Sequence, residues 1–194
     1  MSKKLYDPMT ALMPLPAVMV SCQKQGGKPN IITIAWTGIV CSEPPMISIS
    51  VRKNRFSYDL IKSSGEFVVN ITNHDLVKQT DICGTFSGAD YDKFDLVELT
   101  PEPASKVKVP MIAESPINLE CQVRNRIELG THDIFIAEIV ATHIDDSVMN
   151  DKGRLDVEKL DPLVYCPNAR QYWSKLSRLE GKYGHTVKDM KDKK

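Results

Sequence analysis

The seven residues MISISVR, from Met46 to Arg52, determine the fold class of this 194-residue chain. Their side chains alternate between apolar and polar, which is the period-two pattern of a strand with one buried face. The same alternation returns at residues 117–124 and 133–143, on either side of Gly130. Two alternating runs around a glycine predict an antiparallel hairpin.

Outward from these strands, the chain continues to favour β-structure. Apolar, β-branched runs predict further strands at residues 15–22, 31–41, 67–71 and 96–99. Short helices are predicted at residues 57–64, 73–83 (capped by Asn73) and 170–179. Residues 101–116 hold four prolines and are expected to run over the surface. The pattern predicts a mainly β chain, an antiparallel barrel with short helical insertions.

The domain organisation that we expect is simple. No repeat or low-complexity segment divides the sequence, so residues 1–194 are predicted to form a single domain. Its core is expected at about residues 10–165, followed by a helical C-terminal extension at about residues 166–190.

Charge and cysteine usage exclude several classes of protein. Lys and Arg number 25, as do Asp and Glu, so the basic excess that nucleic-acid binding needs is absent. No apolar run suits a signal peptide or a membrane span. The five cysteines form no C-x-x-C pair and are expected to be reduced. We therefore expect a cytoplasmic protein with neither nucleic acid nor membrane as its partner.

Standard catalytic motifs are missing from the sequence. It contains no G-x-S-x-G, no H-E-x-x-H, no Walker loop and no G-x-G-x-x-G. The four histidines lack metal-ligand spacing, and a pairing of Cys41 with His132 is the weak exception. We predict no metal site.

Residues 50–57 carry the most concentrated chemistry. Three cations, two hydroxyls and a helix start occur within eight residues. Free amides at a helix N-terminus, flanked by arginines, form a natural phosphate site. The alternative is a solvated strand-to-helix turn.

Several motifs in this order resemble the flavin reductase-like proteins, and among them the flavoredoxin branch. The matching segments are PNIITIAW (29–36), PP (44–45), ISVRKNRFSY (49–58), GEFVVN (65–70), CG (83–84), SG (87–88), DKF (92–94) and GTHD (130–133). Their order and spacing, over roughly residues 10–145, carry the resemblance.

The resemblance implies a Greek-key, antiparallel split barrel that binds FMN at a homodimer interface. By resemblance, the isoalloxazine ring would contact Asn30, Thr33, Ala35 and Trp36. The phosphate end would be held by Ser50, Val51, Arg52, Lys53, Arg55, Ser57 and Tyr58, with Ser87, Gly88 and Lys93 contributing from a later loop. Three residues have structural alternatives to a role at the flavin: Trp36 as a core residue, Asn30 as a hairpin residue and His132, the catalytic candidate described next, as a turn residue.

His132 is the catalytic candidate, since by resemblance it would face the flavin or an incoming nicotinamide. The order Thr131-His132-Asp133 differs from the Gly-Asp-His order that is commoner in the family. A flavin accepts hydride by its own chemistry, so the protein needs no catalytic triad.

The predicted function is an FMN-dependent oxidoreductase that uses NADH or NADPH, or a redox protein partner, as donor. The alternatives are a flavoredoxin-like electron carrier, a split-barrel binding module for another ligand such as haem, and a pyridoxamine phosphate oxidase-like enzyme. The aromatic residues of the C-terminal segment could cover the flavin, pack on a partner subunit or anchor a surface helix; they are Tyr165, Tyr172, Trp173 and Tyr183.

Overall fold

The computed structural model describes residues 2–176 and residue 179. Within that part it contains twelve strands and four short α-helices, so the mainly β prediction is confirmed. The strands are β1 Leu15–Pro16, β2 Val18–Gln23, β3 Pro29–Ile34, β4 Thr37–Cys41, β5 Met46–Arg52, β6 Glu66–Ile71, β7 Pro101–Glu102, β8 Met111–Ile112, β9 Ile117–Glu128, β10 His132–Ile144, β11 Val164–Cys166 and β12 Gln171–Trp173. The helices are α1 Phe56–Ser64, α2 Val77–Thr85, α3 Lys93–Leu96 and α4 Val157–Leu160.

Seven strands form one curved antiparallel sheet in the order β3-β2-β6-β9-β10-β5-β4. Its two edge strands, β3 and β4, are consecutive in the chain, and the Ser50 amide donates to the Trp36 carbonyl at their junction over 2.9 Å. The sheet therefore curls back on itself into a partly closed barrel. The long hairpin of β9 and β10 carries two register shifts, which increase local twist and help the sheet to curl.

The barrel interior follows the alternation that the sequence predicted. The inward positions of β5 are buried and pack with the inward faces of the other strands and with Tyr58 and Ile61 of α1. A second apolar cluster lies outside the barrel, where α2 and α3 pack on β3 around Met19 and Phe94. This second cluster fixes the position of α2 beside the β3 edge.

The segment from residue 101 to 116 is a packed strap, and the prediction that it only crosses the surface was wrong. Val107, Val109 and Met111 are buried against the barrel wall. Beneath the strap, the fully buried Glu120 accepts hydrogen bonds from the backbone amides of residues 105, 106 and 107, from the Ser105 hydroxyl and from His143. A buried carboxylate therefore holds the strap onto β9.

Four local predictions were wrong. Residues 31–41 form two strands, because the chain bends at positions 35–36 to pass from β3 to β4. Residues 96–99 lie at the end of α3 and in a turn, where Val97 and Leu99 fill the second cluster. Asn73 makes no side-chain capping bond. The helix predicted at residues 170–179 begins instead with β12; residues 177–178 and 180–194, with Tyr183 and the remainder of the predicted extension, lie outside the described residues.

A small second sheet covers one side of the barrel. It has the order β1-β11-β12, with Leu15 opposite Tyr165 and Tyr165 opposite Tyr172. Short strands of this kind are stabilised by tertiary pairing and not by local periodicity, which explains why the sequence pattern missed them.

Candidate functional site

A cleft of about 540 Å³ lies between the barrel and the small sheet. Its size falls in the range of small-molecule sites. Six parts of the chain meet there: the link between β1 and β2, the junction of β3 and β4, the corner between β5 and α1, the C-terminal end of α2, the start of β10, and the hairpin of β11 and β12. The lining residues are Ala17, Ile32, Thr33, Ile34, Ala35, Trp36, Ser50, Val51, Arg52, Asn54, Arg55, Asp81, Gly84, Thr85, His132, Tyr165, Arg170 and Tyr172.

The corner between β5 and α1 forms the cationic end of the cleft. Arg55 is the N-cap residue of α1, and its side chain makes no capping bond, so the first amides of the helix lack that partner. Arg55 instead donates to the Gly84 carbonyl at the end of α2. The Arg52 side chain forms no ion pair or hydrogen bond within the described residues. Helix amides and two guanidinium groups make this corner suited to an anion.

Two stacked rings lie at the rim of the cleft. The ring centroids of Trp36 and His132 are 6.3 Å apart with 10° between their planes. The Nδ1 atom of His132 lies 2.8 Å from the Thr131 hydroxyl. Burial, and after it the charge of Arg52, lower the pKa of His132 below its ordinary value. Both effects favour the neutral imidazole.

A buried charge network fixes the start of β10, where His132 lies. Asp133 accepts from the Tyr58 hydroxyl at 2.6 Å and from Arg126 at 3.0 Å, and Lys53 lies 3.3 Å away. Burial by itself raises the pKa of Asp133, but the bonds from Tyr58 and Lys53 and the nearby positive charges outweigh it and lower the pKa. Lys53 and Tyr58 thus bind Asp133, and neither lines the cleft.

The cleft contains eight of the residues that the sequence identified as site candidates: Thr33, Ala35, Trp36, Ser50, Val51, Arg52, Arg55 and His132. The other seven are placed elsewhere: Asn30, Lys53, Ser57, Tyr58, Ser87, Gly88 and Lys93. For these seven, contact with a bound flavin stays a prediction.

Asn30 and Ser57 lie in the protein interior, where they are hydrogen-bonded to each other. The Asn30 amide donates to the Ser57 hydroxyl at 2.8 Å, and both residues are almost fully buried. Gly88 packs on Asn30 so closely that an added Cβ would lie 2.1 Å from its Oδ1 atom. These three residues pack against one another beside β3, which carries cleft residues.

Lys93 has a comparable supporting position. Its ammonium is buried and donates to the carbonyls of Ile31 and Cys83, each at 2.7 Å. Burial lowers the pKa of Lys93 to about 8. It therefore ties α3 to β3 and to the end of α2, both of which carry cleft residues.

The sequence interpretation missed part of the cleft. Asn54, Asp81 and Arg170 were not site candidates, and the role of Tyr165 and Tyr172 was left open between three alternatives. The concentration of aromatic residues after position 163 was the available signal. Since the small sheet is formed by non-local pairing, no local pattern indicates that it faces the cleft.

Two other features are absent from the described residues. Among residues 2–176 and 179, no group of three His, Cys, Asp or Glu side chains could hold a metal ion. No helix in the same residues is both long and apolar enough to cross a membrane.

Comparison with known proteins identifies consistent relatives. The profile of the flavin reductase like domain matches residues 9–174. The structure of flavoredoxin of Desulfovibrio vulgaris (Miyazaki F) is 34% identical, with a TM-score of 0.89, over 95% of this chain and 100% of that one. Flavoredoxin from Methanosarcina acetivorans is 30% identical, with a TM-score of 0.87, over 97% and 100% of the two chains.

A curated protein from Archaeoglobus fulgidus is 39% identical over 119 residues, which are 61% of this chain and 67% of that protein.

Proposed function

This chain belongs to the flavin reductase-like domain family, a group of flavin-related oxidoreductases, and on that premise we propose that it binds FMN in the cleft described above and uses NADH or NADPH to reduce it. The electrons then pass to a further acceptor, either a small molecule or a redox protein partner. One observation carries the proposal: a cationic corner with helix amides and a pair of stacked rings line the same cleft.

The cationic corner fits the phosphate of FMN. A phosphate monoester carries about −1.5 to −2 charges at neutral pH, which Arg52 and Arg55 together balance. The N-terminal amides of α1 add donors whose partial positive charge favours an anion. Because Arg55 also donates to Gly84, binding of the phosphate would stabilise the contact between α1 and α2.

The junction of β3 and β4 fits the ring system. The amides of Ala35 and Trp36 make no hydrogen bond to the described residues, so they are free to donate to polar atoms at the edge of a flavin ring. Thr33 is already committed, since its hydroxyl donates to the Thr80 carbonyl. When bound, the flavin supplies the hydride-accepting chemistry, while the chain supplies orientation and donors.

A neutral His132 suits a site that also receives a nicotinamide. An uncharged imidazole next to Trp36 extends an apolar surface without repelling a cationic nicotinamide product. It also retains one donor and one acceptor nitrogen for hydrogen bonding. We propose that His132 contacts the reacting rings.

The experiment that tests this proposal is spectroscopic. We expect the purified protein to bind FMN with visible flavin bands, and these bands to bleach when NADH or NADPH is added without oxygen. Bands that persist with both nucleotides would indicate a carrier that needs a protein donor. Failure to take up added FMN would refute the proposal.

A variant of Arg52 tests the phosphate assignment. Arg52→Ala should weaken FMN binding by about 10- to 100-fold, the effect of removing one charge-assisted hydrogen bond. Adding Arg55→Ala should weaken it further. Arg124→Ala is the matched control, because Arg124 lies on β9 outside the cleft and pairs with Glu138. Unchanged affinity in the double variant would contradict the assignment.

We also propose a homodimer with the flavin at its interface. In support, the edge strand β4 exposes 65% of Ile39 and 52% of Val40, next to Trp36 at the rim of the cleft. Ile39→Lys with Val40→Glu should give a monomer by light scattering and weaken FMN binding together. A protein that is monomeric without any substitution would refute this proposal.

The cytoplasm is the compartment that we propose. All five cysteines are free, and burial raises the pKa of the Cys22 and Cys83 thiols to about 11. Protonated, buried thiols suit a reducing environment. Fractionation of the source cells tests this.

A further inference from the structure

The hairpin of β11 and β12, residues 164–173, forms the outer wall of the cleft and is called the wall hairpin below. It is anchored at its base, and its turn has one side-chain contact, in which the Asn168 amide donates to the Met9 sulfur over 3.3 Å. Tyr165 pairs with Leu15 of β1, the Ala17 amide donates to the Leu163 carbonyl, and the Ser174 hydroxyl lies 3.4 Å from His74. The turn at residues 167–170 therefore extends over the cleft from a fixed base.

Three side chains of the wall hairpin line the cleft: Tyr165, Arg170 and Tyr172. The two tyrosine rings contact each other, with centroids 5.2 Å apart. Burial, and after it the charge of Asp81 across the cleft, raise the pKa of Tyr172 to about 12. Tyr172 is thus a neutral hydroxyl beside the Asp81 carboxylate, and this pair closes one side of the wall.

Arg170 occupies a backbone conformation that disfavours any residue with a side chain. Its φ is 53°, in the left-handed region, and its amide donates to the Pro167 carbonyl at 3.1 Å. Glycine is the low-energy residue at such a turn position. An arginine therefore stands where the backbone would favour glycine, and its side chain lines the cleft.

The Arg170 guanidinium forms no ion pair and no hydrogen bond with the described residues. Arg52 and Arg55 belong to a different part of the chain, the corner between β5 and α1. Their two positive charges are enough to balance one phosphate monoester. The phosphate of FMN therefore leaves Arg170, which lies on the wall hairpin, without an anionic partner.

We propose that Arg170 binds a phosphate group of the second ligand, a nicotinamide dinucleotide, and not the phosphate of FMN. The inference rests on the proposed function, since it assigns a recognition residue to the same cleft. The dinucleotide carries a pyrophosphate beyond its nicotinamide ring. A guanidinium recognises such oxygen pairs through two parallel donors.

The test uses two glycine variants, Arg170→Gly and Glu98→Gly. Glu98 has a φ of 55° and lies outside the cleft. Glu98→Gly therefore makes the same change at a left-handed backbone position but leaves the Arg170 side chain in place. Both variants remove left-handed strain, and neither should lower the melting temperature through the backbone. Three quantities are measured: the FMN dissociation constant, the half-saturating NADH and NADPH concentrations in anaerobic stopped-flow reduction, and ADP binding to the FMN-loaded protein by calorimetry.

We expect Arg170→Gly to raise the half-saturating nucleotide concentration and the ADP dissociation constant by about tenfold or more, with FMN affinity unchanged. Glu98→Gly should match the unmodified protein in all three. If Arg170→Gly weakens FMN binding and Glu98→Gly does not, the proposal is overturned, because Arg170 would then be a flavin ligand. Unchanged nucleotide and ADP values would overturn it as well.

The ADP measurement separates this inference from the proposed function. If neither nucleotide reduces the unmodified protein, the proposed donor is wrong. Binding of ADP that is lost in Arg170→Gly would still support the phosphate-binding role of Arg170. Absence of ADP binding to the unmodified, FMN-loaded protein would refute it.

Discussion

Glu120 provides a quantitative test of how the strap is held on the barrel. Its carboxylate is fully buried and accepts five hydrogen bonds, three from strap amides and two from the side chains of Ser105 and His143. Burial alone would raise the pKa of Glu120, but these bonds outweigh it and lower the pKa to about 2 from an ordinary 4.5. Glu120→Gln removes the charge and keeps the shape.

The expected magnitude follows from that pKa. Each pKa unit corresponds to about 1.4 kcal/mol, so the charged carboxylate contributes about 3 kcal/mol to the free energy of unfolding at neutral pH. Because the folded-state pKa is the lower one, this contribution is complete above about pH 4.5 and is lost as the pH falls toward about 2. Glu120→Gln should lose about 3 kcal/mol at pH 7 and progressively less in acid.

The assay is urea denaturation at pH 7, 5, 4 and 3, followed by circular dichroism. Glu66→Gln is the control, because Glu66 accepts from the strap amide of Lys108 but is only partly buried. The control should cost less than about 1 kcal/mol. If Glu120→Gln loses under about 1 kcal/mol at pH 7, or keeps the same loss at pH 3, the reasoning is wrong.

Three further predictions concern the residues around the cleft. Burial lowers the pKa of Lys93 to about 8, so the unfolded chain binds more protons than the folded one between about pH 8 and 10.5. The unfolding free energy of the unmodified protein, relative to that of Lys93→Met, should therefore rise with pH across that window. A difference in urea denaturation that does not change with pH would contradict this. Gly88→Ala should destabilise the protein by about 1–3 kcal/mol, because the added Cβ would collide with the buried amide of Asn30. In the control Gly38→Ala, the added Cβ meets nothing within 4 Å and stability should change little. Equal melting temperatures for the two variants would exclude the close packing at Gly88. Arg52→Ala should raise the pKa of His132 in an NMR titration, and a pKa that stays the same or falls would show that Arg52 does not act on this imidazole.

The sequence alone determined the barrel. Alternation in Met46–Arg52 and in the two runs around Gly130 required strands with one buried face, and the structure buries that face in β5. On β9 it also buries Asn118 and Glu120 of the polar face, because the strap covers that side of the strand. The motif order from residue 29 to 133 was specific enough to identify the family. Periodicity succeeds here because the burial of alternate residues on a strand is a local property of the backbone.

The sequence also identified the phosphate corner, because a strand, two arginines and a helix start are adjacent along the chain. It could not separate residues that line the cleft from residues behind it. Asn30, Ser57 and Lys93 carry polar groups in matching motifs, yet each finds its partners in the interior. Whether such a group faces a ligand or a neighbour depends on contacts between distant segments.

Only the tertiary structure decided the rest of the site. The short strands β11 and β12 take their conformation from pairing with each other and with β1, more than 140 residues earlier in the chain. That pairing carries Tyr165, Arg170 and Tyr172 to the cleft. The free energy that places them comes from non-local backbone hydrogen bonds and packing, which leave no periodic signal in the sequence.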